Sequence, residues 1–469
     1  MNLKIFLLIF ILTSSFSIAQ QPCNCETALT KLITKIENEY PGFEDKTTDK
    51  LRYLSFKEKM ISDSKNTSES ECLKLLRSYL DYFRDKHIYL QKSDESQNKP
   101  EKELFYSKVN ITLEAFKRHL RNTNDKLEGI WKTSTYKVGI LKSGDQYHAF
   151  IIDADTEYWK PYEIKFILLK DGKANYFMQD HSLYEDSYKL HEGCILYFSK
   201  LQTAFVKEQP DPLLPKEQIE AKVSQIEGFY FEKLTDKTAL LRISSFMYNN
   251  VERIEKLIMN NSDLLDNSEN FIVDIRNNGG GTDMAYQKLL PYICTGPIRM
   301  IGAQFLATQG LIDGLQNWMN NLPDEEKYEA DKERIKRNIE TYRKHLGEFV
   351  GSDSIPVYID SIKQAAHSPA QIVILANKGT ASAAESFIYK AKQSKKVKIM
   401  GTPTGGVLDY GSSRNFNFGC NNYSLSLPTF RSLRLPEYPV DNIGIQPDIY
   451  LDKYVEDWIG FAIDYLEKK

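Results

Sequence analysis

Apolar residues recur along this chain with periods that change from one stretch to the next. In "CETALTKLITKIENEY" and "ECLKLLRSYLDYFRDKHIYL" they return every three or four positions, the stripe of an amphipathic helix. Between them "YPGFEDKTTD" is a Pro/Gly/Asp loop that leaves Thr48 or Asp49 to cap the next helix. From about residue 126 the period drops to two. "GIWKTSTYKVGILKSGDQYHAFIIDAD" and "YEIKFILLKDGKANYFMQD" alternate around Ser-Gly-Asp and Asp-Gly turns, which predicts antiparallel hairpins. "QPDPLLPKEQ" is a Pro-rich linker that ends this region. From 226 onward strand-like runs ("TALLRISSF", "NFIVDIR", "QIVILAN", "KVKIMG") alternate with helix-like ones ("NNVERIEKLIMNNSDLL", "TDMAYQKLLPYI", "AAESFIYKAKQS"), the pattern of a layered α/β core.

The expected fold class is therefore α+β and multidomain. A helical N-terminal domain spans 20–124, an antiparallel β-rich domain 125–212, and an α/β domain 213–469. Near 324–349 the last is interrupted by "DEEKYEADKERIKRNIETYRKHLGEF", whose density of charge predicts a solvated helix or a helical lid. A chain of 469 residues is too long for one compact core, which agrees with two or three domains.

Residues 1–19 stand apart. "MNLK" supplies a positive charge, "IFLLIFIL" is apolar and too short to span a bilayer, and "SFSIA" places small residues before a cleavage point after Ala19. This is the layout of a secretory signal peptide, so the expected location is exported: periplasmic, cell-surface or extracellular. No later segment is apolar enough for a membrane span. The formal charge is −3, or −4 once the leader and its Lys4 are removed, and no basic block is present, which argues against a nucleic-acid partner. Export permits disulfides, and Cys23 or Cys25 is expected to pair with Cys72. "CNC" is too tight for a zinc or redox pair, so no metal and no cofactor is expected.

Two short stretches carry chemistry. "VDIRNNGGGTD" joins a buried strand to a helix through three glycines, whose backbone N–H groups are free to point at an anion or oxyanion; the Lys-Ser/Thr of a phosphate loop is missing. "KGTASAAE" follows the strand "QIVILAN" and places Ser382 at a strand–helix corner. There it is either an N-cap or a nucleophile with helix N–H groups close by. Gly-x-Ser-x-Gly and His-Glu-x-x-His motifs are absent, and Ser382 is followed at +3 by Glu385 instead of the lysine of a Ser-x-x-Lys pair, which excludes lipase, β-lactamase and zincin chemistry.

"ENFIVDIRNNGGG", "VILANKGTASAAESFIYKAKQSKKVKIMGTPTGG" and "DNIGIQPDIYL", in that order over roughly 226–455, resemble the motifs of the S41 serine peptidases, which include the tail-specific peptidases and the tricorn core. "YLDYFRDKHIYL" adds the family's Asp-x-His element. The resemblance implies a crotonase/ClpP-like catalytic core and an endopeptidase acting on peptide or protein substrates, with Ser382 as nucleophile. It implies an oxyanion hole from Ala383 and the glycine loop, Gly280 and Gly281. In the tail-specific branch the base is a lysine, but its place here is held by Val407, which accepts no proton; Lys390, Lys392, Lys395, Lys396 and Lys398 read as exposed charge. The tricorn-like branch implies instead His87 as general base, oriented by Asp441. The carboxylate-binding loop of a PDZ module is not found. The competing expectation is an inactive S41-like peptide- or ligand-binding protein. A further one is a small apolar ligand inside the β-domain, since "GIW" is similar to the start of lipocalin-like barrels.

Overall fold

A computed structural model describes residues 23–92, 107–212, 214–351 and 356–468; the expected leader lies outside them. The chain divides into two compact units that do not follow sequence order. The smaller joins the stretch up to Glu95 with Gln304–Val350 and Tyr410–Arg431; the larger comprises Ser96–Ala303, Gly351–Asp409 and Ser432–Lys469.

In the smaller unit the helical periods become helices Cys25–Glu39, Lys50–Ser64 and Glu69–Asp81. Asp49 caps the second by accepting from Arg52 N–H. Their apolar stripes close around Tyr40, Tyr79 and Phe83, all essentially buried, with Phe83 edge-on to both tyrosines. Cys25 pairs with Cys72 as expected; Cys23 pairs with Cys420, a partner 397 residues away that no local spacing signals. After a turn the chain enters the short strand Tyr89–Lys92, which runs antiparallel to Tyr423–Leu427. The charged insertion is more than a solvated helix. Helix Glu329–Lys344 presents Ile335, Ile339 and Tyr342 to Leu311, Ile312 and Leu315 of helix Gln309–Asn321, so its polar residues cover only the outer side.

The larger unit contains two cores. The alternating stretch closes into an eight-stranded antiparallel barrel, from Gly129–Lys132 to Thr203–Gln209, with last strand paired to first. An eight-stranded barrel is either filled by its own side chains or holds one small ligand. Here Trp131, Phe166, Phe198 and Phe205 fill it, with Phe166 and Phe205 ring centres 5.2 Å apart. The small-ligand expectation therefore meets an interior already occupied. Lys165 is buried with them: its Nζ donates to Phe177 O at 2.6 Å and sits 4.2–4.6 Å from the rings of Tyr136, Trp159 and Tyr176.

The second core is a six-stranded sheet. Its order is Phe229–Lys233, Thr238–Ile243, Asn270–Asp274, Gln371–Ala376, Val397–Gly401 and Ile449–Tyr450, parallel throughout except for the first pair. Helices Val251–Asn260 and Ala383–Ala391 cover one face, and helix Trp458–Glu467 the other. The fold is thus α+β with several sheets, as the periods imply. One element departs from expectation: Asp283–Leu289 is a 3₁₀ run, and only Leu290–Ile293 is α-helical. Pro291 has no N–H to offer Gln287 O, which accepts Leu290 N–H in a 3₁₀ bond instead.

Candidate active site

The glycine loop and the serine corner leave the carboxyl ends of neighbouring parallel strands, Asn270–Asp274 and Gln371–Ala376. Open α/β sheets bind ligands at such strand ends. Paired asparagines lock the two turns together. Asn277 N–H donates to Asn377 Oδ1 at 2.9 Å, and Asn377 Nδ2 donates to Asn277 Oδ1 at 3.0 Å. Thr380 Oγ1 donates to Ile275 O (2.9 Å), and Ala381 N–H to Asn278 O (2.9 Å). Asp274 braces the start of the loop, taking Arg276 N–H, Nε and Nη2 at 3.0, 2.9 and 2.6 Å.

Ser382 sits directly before helix Ala383–Ala391 with φ 55° and ψ −121°. An ordinary N-cap has an extended backbone. A non-glycine residue held at positive φ costs on the order of 1–3 kcal/mol and is retained where surrounding structure enforces it. Ala383 occupies the first helical position, where an N–H has no intrahelical acceptor.

Gly280 packs against this corner. A Cβ there would lie 2.6 Å from Ala381 O, 2.8 Å from Ala383 N and 2.9 Å from Ser382 Cβ, so only glycine fits. Its own N–H goes to Asn278 Oδ1 at 2.9 Å. Gly281 forms a parallel bridge with Phe246: Phe246 N–H donates to Gly280 O (3.1 Å) and Thr282 N–H to Phe246 O (2.9 Å). That pairing turns the Gly281 N–H away from Phe246.

Two charged residues outside the expected site are buried here. Lys390, expected to be exposed, is 6% exposed: its Nζ donates to Tyr286 OH at 2.9 Å and pairs with Asp283 at 3.3 Å. It lies eight residues beyond Ser382, about 12 Å along the helix, too far to take the serine proton. Ser386, one turn from Ser382, donates to the same Asp283 carboxylate at 3.0 Å. Burial pushes the Tyr286 hydroxyl far above its ordinary range, which keeps it protonated. This cluster ties helix Ala383–Ala391 to the residues following the glycine loop.

Glu385 is fully buried and accepts from Ser382 N–H at 2.9 Å. Its sequence signal, Ser-x-x-Glu at a helix start, is that of a capping box. Val407 is buried as well, with its N–H on Glu385. Asp441 is reached through the next residues: its Oδ1 accepts from Leu408 and Asp409 N–H, both at 2.8 Å. In return the Asp409 carboxylate accepts Asp441 N–H at 2.8 Å and Val440 N–H at 2.9 Å, and pairs with Arg434 at 3.3 Å. No short-range pattern announces Asp409 or Arg434.

The larger unit thus brings together Ser382, Ala383, Gly280 and Gly281, with Asp441 joined to them through the 404–409 segment. His87 belongs to the smaller unit. There its N–H donates to Asp85 Oδ1 at 2.8 Å, its Nδ1 lies 3.7 Å from the same oxygen, and Tyr40 OH donates to Asp85 Oδ2 at 2.9 Å. Asp85, buried and braced on both oxygens, shapes the turn that carries His87. Among the described residues no group of three or more His, Cys, Asp or Glu is placed to hold a metal, and no helix is long and apolar enough to cross a membrane.

Residues 237–451 match the model of Peptidase family S41. Among solved structures, mature CPAF complexed with lactacystin is similar at 14% identity, covering 95% of this chain and 97% of that one with a TM-score of 0.50. Mature CPAF alone matches at 15% identity, with 91% and 92% covered and a TM-score of 0.48. The photosystem II D1 C-terminal processing protease matches at 12% identity, with 92% and 94% covered and a TM-score of 0.38. At such identities a likeness speaks for the fold alone. No curated protein matches by sequence. The matched stretch is a serine-type peptidase domain of the S41 kind.

Proposed function

We propose that this protein is an exported serine endopeptidase that hydrolyses peptide or protein substrates through an acyl-enzyme. Ser382 is the nucleophile, His87 the general base and Asp441 the acid that orients it. The observation that carries this reading is the positive-φ backbone of Ser382 packed against Gly280, where no side chain fits. Two disulfides suit an oxidising compartment, in keeping with the signal-like layout of residues 1–19.

In this reading Ser382 Oγ attacks the scissile carbonyl while His87 takes its proton. The oxyanion is met by Ala383 N–H and by the glycine loop: Gly281 N–H in the present arrangement, Gly280 N–H once it leaves Asn278. His87 then protonates the leaving amine. A water molecule, deprotonated by the same imidazole, releases the acid product and regenerates Ser382.

Labelling with a fluorophosphonate tests this. The wild-type chain should label, Ser382→Ala not at all, and His87→Ala at least about 1,000-fold more slowly. The competing reading, a silent binding scaffold, draws on Val407 in the place of the lysine base. Absence of labelling in the wild-type chain under any condition would sink the enzyme reading.

A further inference from the structure

A buried carboxylate normally sits beside a cation or gives up its charge. Glu385 has four hydrogen-bond donors instead. Oε2 accepts Ser382 N–H at 2.9 Å and Val407 N–H at 2.8 Å; Oε1 accepts Gly406 N–H at 2.8 Å and the Thr404 hydroxyl at 2.5 Å. Three of the four are backbone amides, so this one side chain holds two stretches of main chain in register. The contacts continue. Thr404 Oγ1 accepts Ile445 N–H at 2.7 Å, and Asn442 N–H donates to Gly406 O at 3.1 Å. Leu408 and Asp409 N–H then seat Asp441 Oδ1 at 2.8 Å. The 404–409 segment is therefore pinned at one end by Glu385 and at the other by Asp441.

We propose that Glu385 is a positioning residue for the serine reaction: its carboxylate holds Ser382 in its left-handed conformation and sets the nucleophile in register with the segment that seats Asp441. The proposal rests on Ser382 being the nucleophile. It also gives position 407 a use without a basic side chain, because what Glu385 takes from that residue is its N–H. A carboxylate suits this role because every donor faces an acceptor. In a glutamine one acceptor becomes an NH₂ group, which would be aimed at backbone N–H groups. A cap serving stability alone would lower the melting temperature and leave the chemistry of the folded protein intact.

The full-length chain is acylated with a fluorophosphonate, and the limiting rate and the reagent's half-saturation are measured separately. Glu385→Gln, folded by circular dichroism and assayed below its Tm, should acylate about 100-fold more slowly with half-saturation within about threefold of wild type. Thr404→Val, which removes one donor from the carboxylate, should be slower by about 5- to 10-fold. A folded Glu385→Gln that acylates within about threefold of wild type overturns the proposal. If Glu385→Gln does not fold, Thr404→Val decides, and a rate within about twofold of wild type overturns it. Labelling of Ser382→Ala at the wild-type rate would instead remove the nucleophile assignment itself.

Discussion

Lys165 in the barrel and Glu385 behind the serine corner are both charged side chains taken out of water, yet they are accommodated in opposite ways. Lys165 has one carbonyl and three aromatic faces. Glu385 has three backbone amides and a hydroxyl. Soft partners ask nothing of the lysine's exact place, and an apolar side chain would leave only the Phe177 carbonyl short of a bond. Removing Glu385 would orphan four donors in two loops of irregular backbone, where each costs about 1–3 kcal/mol. Burial alone therefore does not distinguish a stability feature from a functional one. The identity of the partners does, and it predicts that barrel substitutions move the melting temperature while corner substitutions move the rate.

The largest effect should come from Gly280→Ala. Its Cβ would press on Ala381 O and Ala383 N, backbone atoms that cannot swing aside. Acylation of Ser382 should fall about 1,000-fold, roughly 4 kcal/mol of barrier. A loss of melting temperature with an unchanged acylation rate would break the contrast. Next, Phe166→Ala empties the middle of the barrel and should cost about 3–4 kcal/mol in denaturant unfolding. The folded fraction should acylate at the wild-type rate.

The smallest effect, and the one that sharpens the contrast most, is Lys165→Met. Burial pushes the Lys165 ammonium down to about 7, while the surrounding rings pull the other way. Between about pH 7 and the ordinary lysine value the unfolded chain holds a proton that the folded one has released, so stability rises with pH across that window. Below it the lysine is charged in both states and its burial cost is constant. Lys165→Met should therefore gain on the wild-type chain in stability at pH 7, with that advantage falling by about 2 kcal/mol by pH 9. Thermal melts of both chains at pH 7, 8 and 9 measure this. An advantage that grows with pH would contradict the assignment.

The barrel and the corner also differ in how far the sequence announces them. Alternation and the turns at Gly144 and Gly172 mark the hairpins residue by residue, because each strand pairs with its neighbour in sequence. Closure is the one long-range step, between Gly129–Lys132 and Thr203–Gln209, and no local pattern encodes it. At the corner, "NNGGG" and "TASAAE" mark two turns, and the sheet places them side by side. What joins them to Asp441 is a set of amide contacts from residues 404–409, and backbone amides leave no signature in residue type. Lys390 misleads for a related reason. Beside other lysines it reads as surface, and only Tyr286 and Asp283, a hundred residues earlier, give it a buried place. The same holds for Cys420, whose partner could not be read from spacing.

The Cys23–Cys420 pair has a consequence for the order in which the molecule is made. A chain that emerges N-terminus first can close its barrel once residue 209 is out. The helices beginning at Cys25 must wait for strand Tyr423–Leu427 and for Cys420 before the turn bearing His87 is braced from both sides. If His87 is the proton acceptor proposed above, its turn is completed only after the barrel has closed, so the chain forms its barrel before it can cut.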